Sequence, residues 1–222
     1  MLKYKLVCFD VDGTLVDNIE YSWQLFHDYF QTDKHRREDA RQKFFSGKIS
    51  YLEWAEHDIN LWKECGATKD GFYRAMELAN VRLMDGALAV LEILKKNKLK
   101  LAIISGTISV ILDKLIPDYN NIFDYVFMSR LYFDSSGKIS KAEATEFDME
   151  GKALALKKIA EKEKISLKEC VFIGDNFNDV KIAQESGLGI AFNCKSEELR
   201  KITNVVIEKK DLREILKYIF AT

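Results

Sequence analysis

Five short apolar runs do most to limit how this 222-residue chain can fold: Leu6 to Phe9, Leu99 to Ile104, Tyr125 to Met128, Cys170 to Ile173 and Gly189 to Phe192. Each has the length of a strand and the near-continuous hydrophobicity of one buried on both faces. Helical patterns lie between them. Leu88, Leu91, Ile93 and Leu94 make an apolar face before the second run, and Leu154, Leu156, Ile159 and Ala160 make another before the fourth. Strands alternating with helices predict an α/β chain with a doubly wound, Rossmann-like parallel sheet. Val180 to Glu185 reads as a further helix stopped by Ser186-Gly187, and Asp211 with Glu214 as the cap of a last helix running towards Phe220.

One stretch breaks the rhythm. About 70 residues separate the first strand from Gly86, where a strand-to-helix connection usually takes about 2 to 6. Its apolar residues recur at helical spacing: Trp23, Phe26, Tyr29 and Phe30; then Tyr51, Trp54 and Ala55; then Phe72, Ala75, Met76 and Ala79. With little strand character, it predicts a helical cap over residues 16–84, inserted at the C-terminal end of the first strand into a core of residues 1–15 and 85–222. Leu131 to Ile139, centred on Asp134-Ser135-Ser136-Gly137, reads as a small β-hairpin.

Composition narrows the class of partner. Hydrophobic residues make up 47% of the chain, enough for a substantial core. Lys and Arg number 34 against 35 Asp and Glu, so the net charge of −1 favours neither nucleic acid nor an anionic membrane surface. No apolar run approaches the roughly 20 residues that span a bilayer, and no signal-peptide core precedes the first strand. Cys8, Cys65, Cys170 and Cys194 lack paired ligand spacing and read as reduced structural thiols. These features predict a soluble, cytoplasmic protein that works on small molecules.

Four polar clusters fall at strand ends or helix starts. The first strand runs into Asp10-Val11-Asp12-Gly13-Thr14, placing two carboxylates at the sheet edge where open α/β folds bind ligands. The spacing of Gly and Glu after Asp10 rules out an EF-hand loop. The second strand ends in Ser105-Gly106-Thr107, a hydroxyl and flexible N–H groups suited to a phosphoryl oxygen. Lys152 follows Glu150-Gly151 at a helix start. The fourth run ends in Gly174-Asp175-Asn176-Phe177-Asn178-Asp179, whose carboxylates suit a hard cation or a helix cap. Each cluster alone has an ordinary structural explanation. Together, on neighbouring strands, they would supply a nucleophile, a hard metal and charge-spreading donors, the parts phosphoryl transfer needs.

In this order the four clusters resemble the motifs of the haloacid dehalogenase superfamily. The hairpin, the Lys152 helix, Gly187 to Phe192 and the tail Asp211 to Ile219 look like its phosphoserine phosphatase branch, whereas the insert shares that branch's position and helical character but little of its sequence. The resemblance implies a Mg2+-dependent phosphatase acting on a small-molecule phosphomonoester. Asp10 would become phosphorylated, and Asp12 would act as acid and then base. Asp10, the Asp12 carbonyl and Asp175 would hold Mg2+. Ser105, Gly106 and Lys152 would bind the phosphoryl group, while Asn178 and Asp179 would orient water or substrate. Asn176 and Thr107 stand where the branch has glycines; Asn tolerates a left-handed backbone well enough to keep the loop.

Rival readings separate on placement. A phospho-accepting receiver would carry its aspartate on the third strand of a shorter chain. A phosphomutase would differ only in its cap, a dehalogenase would lack Asp12, and an inert binding module would not need every chemical group. His27, His35 and His57 lie in the insert, away from the motifs, and Trp23, Trp54 and Trp62 read as its core. Glu20 sits one position beyond the place of the branch's substrate-reading glutamate, and with the insert registered on Gly47-Lys48-Ile49, Asp58, within Glu56-His57-Asp58, occupies the place of the branch's substrate-reading arginine. Arg41, Lys48 and Arg74 are the alternative cations. That reversal predicts poor use of phosphoserine and a substrate with a neutral or cationic group opposite its phosphate.

Overall fold

The computed structural model describes residues 2–149 and 151–221, so Glu150 lies outside it. The chain runs β1 (Leu6–Phe9), β2 (Val16–Asp17), α1 (Ser22–Phe30), α2 (Lys34–Phe45), α3 (Tyr51–Glu64), α4 (Lys69–Leu78) and β3 (Arg82–Leu83). It continues through α5 (Ala87–Lys96), β4 (Lys100–Ile108), α6 (Val110–Leu115), α7 (Tyr119–Ile122), β5 (Tyr125–Phe133) and β6 (Ile139–Glu143). The last part holds α8 (Gly151–Glu163), β7 (Cys170–Gly174), α9 (Val180–Glu185), β8 (Leu188–Phe192), α10 (Glu197–Ile202), β9 (Val205–Ile207) and α11 (Leu216–Ile219).

Seven strands form the main sheet in the order β6-β5-β4-β1-β7-β8-β9, parallel except for the β5–β6 hairpin. The expected doubly wound α/β fold is therefore present. β1 lies at its centre, with Phe9 opposite Ile103 on one side and Ile173 on the other. That register sets the ends of β1, β4 and β7 side by side and brings their polar clusters to one edge.

Both faces of these strands are covered. Val7, Phe9, Leu101, Ile103, Val171 and Ile173 face one apolar cluster, while Leu6, Cys8, Ala102, Ile104, Cys170 and Phe172 face the other. This alternation with both faces apolar accounts for the unbroken hydrophobicity of the runs. α5 turns Ala87, Val90, Leu91 and Leu94 inward, so Leu88 and Ile93, expected in its apolar face, are exposed. Leu154 of α8 is likewise exposed, and Lys152, Ala155, Leu156 and Ile159 are buried.

Residues 22–78 of the insert fold as α1 to α4. Trp23 stacks on Trp62 at 5.0 Å, and Phe26 and Phe72 meet edge to face at 4.8 Å. The insert also contains two short strands that the sequence does not announce: β2 and β3 pair antiparallel and carry the chain in and out. Asp17 of this ribbon accepts Lys210 Nζ at 2.8 Å and Arg82 Nη2 at 3.2 Å. Among the described residues, no helix is long and apolar enough to cross a membrane.

Candidate active site

Asp10 leaves β1 at the sheet edge with its N–H bonded to the Ile173 carbonyl at 2.9 Å. Its carboxylate accepts Lys152 Nζ at 2.7 Å. The same ammonium, completely buried, reaches Asp179 at 2.7 Å and stands 3.8 Å from Asp148. Burial works against the Lys152 charge, but Asp10, Asp179 and Asp148 outweigh it and hold the ammonium above the usual lysine range. The other oxygen of Asp179 accepts the N–H groups of Asp175 and Asn176 at 2.9 and 3.1 Å. Asp179 thus fastens the loop after β7 to Lys152.

Asp12 points elsewhere. Thr107 donates its hydroxyl to Oδ1 at 2.9 Å, and the Ser22 N–H, from the first residue of α1, donates to Oδ2 at 2.7 Å. Burial raises its pKa, against the pull of these donors. Ser105 Oγ accepts the Thr107 N–H at 3.2 Å, and the Gly106 carbonyl accepts Trp23 Nε1 at 2.8 Å. Asn178 donates to Asp148 at 2.9 Å.

Two glycines permit this crowding. Gly13 has φ +74°, and a Cβ there would fall 2.1 Å from Asp175 Oδ2; one at Gly106 would fall 2.1 Å from Asp148 Oδ2. Asn176 needs no such freedom. Its φ is −135°, so the tolerance of Asn for a left-handed backbone is not called on, and its side chain caps the Phe177 N–H at 2.8 Å.

Asp10, Asp175 and Asp179 each bring an oxygen within 4.8 Å of the others. Burial pushes the Asp175 carboxyl up to about 7, with Asp179 adding to the shift and Lys195, 3.3 Å away, opposing it. Burial likewise raises Asp10 although Lys152 is adjacent. Asp12 and Asp148 add two more buried carboxylates, more negative charge than Lys152 and Lys195 balance. An oxygen-only donor set short of positive charge fits a hard divalent cation.

A cavity of about 300 Å3 opens over this floor. Asp10, Asp12, Ser105, Gly106, Asp175 and Asn178 line it from the strand ends, and Arg41, Phe45 and Trp54 from the insert. Glu20 reaches the rim, largely exposed and 3.6 Å from Lys195. Glu56 is exposed away from the cavity. Asp58 differs from its expected position. It is buried in the insert, 3.2 Å from both His27 Nε2 and His57 Nδ1 and 3.5 Å from Arg37 Nε, and so does not face a substrate above Asp10. The electrostatic argument against phosphoserine loses its premise. Trp62 is core, whereas Trp23 and Trp54 pack in the insert and also line the cavity.

Asp148, Ser22 and the hydroxyl of Thr107 were not legible as site members. Asp148 belongs to no motif, and Ser22 contributes through its backbone N–H, which any non-proline residue could offer. Thr107 belongs to the Ser105-Gly106-Thr107 cluster, but nothing in the sequence ties its hydroxyl to Asp12.

A central strand that ends in a buried Asp–Lys pair, flanked by a second carboxylate and a Ser-Gly turn, belongs to a phosphoryl-transfer hydrolase. The chain is a member of the haloacid dehalogenase-like hydrolase family, whose model matches residues 4–187, and within it is a phosphoric monoester hydrolase. It is 30% identical to a phosphoserine phosphatase of Methanocaldococcus jannaschii over 98% of both chains. It is 28% identical to one of Lactococcus lactis over 96% of this chain and 94% of the other. Among solved structures, a phosphoserine phosphatase with a phospho-aspartyl intermediate analogue superposes with a TM-score of 0.72 at 28% identity, covering 97% of this chain and 98% of that one.

Proposed function

We propose that the chain is a Mg2+-dependent phosphatase that hydrolyses a small-molecule phosphomonoester through an aspartyl-phosphate on Asp10, in a core of residues 1–15 and 85–222 closed by a cap of residues 16–84. The observation that carries this reading is the Lys152 ammonium held 2.7 Å from both Asp10 and Asp179. Asp10 Oδ attacks phosphorus while the bond to the ester oxygen breaks, splitting hydrolysis into two displacements. Asp12 gives the departing alkoxide its proton, then takes one from the water that releases orthophosphate. The Ser105 hydroxyl and Gly106 N–H hold phosphoryl oxygens, and Lys152 offsets the charge gathered around Asp10. Asp179 keeps Lys152 and the loop after β7 in place, and Asn178 with Asp148 orients substrate or water.

Asp10, Asp175 and the Asp12 carbonyl would hold Mg2+. Bound there, it screens carboxylate from phosphate so that one anion can approach another. Similarity to phosphoserine phosphatases along nearly the whole chain supports a small phosphomonoester as substrate. The test is acid-quenched turnover of a radiolabelled ester. Wild type should retain covalent label; Asp10→Asn, with unchanged circular dichroism, should retain none. Turnover by Asp10→Asn above about one hundredth of wild type, a loss of only about 2.7 kcal/mol, would overturn the assignment.

A further inference from the structure

Five aromatic side chains line the cavity above its acid floor: Tyr21, Trp23, Phe45, Trp54 and Phe177. Trp23 and Trp54 are buried walls, at 2% and 5% exposure. Phe45, ending α2, and Phe177, in the turn after β7, line the same cavity yet keep 57% and 54% of their surface in solvent. One comes from the insert and the other from the sheet edge. Exposed apolar surface rimming a polar cavity marks a ligand-binding face.

Each nearby charge has a partner within about 4 Å or lies against an aromatic ring. Glu20 faces Lys195 at 3.6 Å, and Asp58 is enclosed with His27 and Arg37. The Arg41 guanidinium lies 5.2 Å from the centre of the Phe45 ring, with Glu38 3.4 Å away. A small polar leaving group would leave the phenyl faces wet, whereas a flat ring would cover them and stack near a guanidinium. The cavity, about 300 Å3, lies at the lower end for small-molecule pockets, room for a phosphate and one ring system.

We propose that the leaving group is an alcohol bearing a flat aromatic ring, held among Phe45, Phe177 and Trp54 while its phosphate lies over Asp10. This substrate class rests on the phosphatase reading of the same cavity. The full chain with Mg2+ is assayed for orthophosphate release from 2-phenylethyl phosphate, ethyl phosphate, phosphoserine and p-nitrophenyl phosphate. The first two release alcohols of similar basicity, so their ratio isolates recognition of the ring. Wild type should prefer 2-phenylethyl phosphate over ethyl phosphate and phosphoserine by about tenfold or more in kcat/KM. Phe45→Ala and Phe177→Ala, both at exposed positions, should each bring the ratio of phenylethyl to ethyl ester towards unity. Equal use of those two esters, or higher kcat/KM for phosphoserine, with p-nitrophenyl phosphate still hydrolysed, overturns the ring proposal alone. If none of the four esters releases orthophosphate, the phosphatase reading falls with it.

Discussion

Replacing Thr107 with valine removes the hydroxyl that supports Asp12, together with its 3.1 Å contact to Ser22 Oγ. The side chain is 2% exposed at the end of β4, and valine keeps its shape while removing only the hydroxyl that reaches Asp12 at 2.9 Å. Asp12 then keeps the Ser22 N–H at 2.7 Å but has one oxygen without its donor. A hydrogen bond to a charged group is worth about 1.5–3 kcal/mol, so if the bond acts mainly by aiming Asp12 at the leaving oxygen, kcat/KM should fall by roughly 10- to 150-fold. The loss should be largest with ethyl phosphate, whose alkoxide needs a proton to leave. With p-nitrophenyl phosphate, whose phenolate departs unaided, it should be several times smaller. Thr107→Ser keeps the hydroxyl and should stay within about fivefold of wild type, because it loses only a methyl group. Equal losses with both esters, or a serine variant as impaired as the valine, would refute the positioning argument.

Two further predictions concern the ion and the stem of the insert. EDTA should silence turnover and Mg2+ restore it, with Ca2+ a poor substitute because it favours looser, higher coordination; full activity in metal-free protein would contradict the donor-set argument. Asp17 has a lowered pKa: burial opposes the shift, but hydrogen bonds and charge from Lys210 and Arg82 outweigh it. Its folded pKa therefore lies below the unfolded value, so its stabilisation is present above about pH 4 and is lost as pH falls through the folded pKa. Wild type should melt above Asp17→Asn at pH 7, with the gap closing in acid; a constant gap from pH 7 to about pH 3 would contradict this sign.

The doubly wound sheet was legible because burial on both faces writes itself as continuous apolar runs, and β1, β4 and β7 are neighbours as the motif order requires. Other elements leave little trace. β9 is three residues long, and β2 and β3 are two residues each, too short for periodicity to show. α2 buries only Ala40, so its sequence has no apolar stripe; the helix is instead set by Asp33, which accepts the N–H groups of His35 and Arg36. Asp58 shows the limit on the site itself. Its sequence position suggested a substrate-facing anion, but where a helical carboxylate points depends on which neighbours approach it, here His27 from α1 and Arg37 from α2.

The bonds around Asp12 also tie the insert to the chemistry. α1 donates its Ser22 N–H to Asp12, shares the Ser22 hydroxyl with Thr107 at 3.1 Å, and passes the Trp23 indole N–H to the Gly106 carbonyl. These contacts join one helix to both the Asp10–Asp12 loop and the Ser105–Thr107 turn. At about 0.5–1.5 kcal/mol net for each neutral bond, and more for the one to the carboxylate, they seat α1 firmly without making its release prohibitive. Displacing α1 beyond hydrogen-bond reach would break the Ser22–Asp12 bond and leave the Asp12 carboxylate held by Thr107 alone. The seat of the insert and the orientation of the Asp12 carboxylate are consequently set by the same contacts.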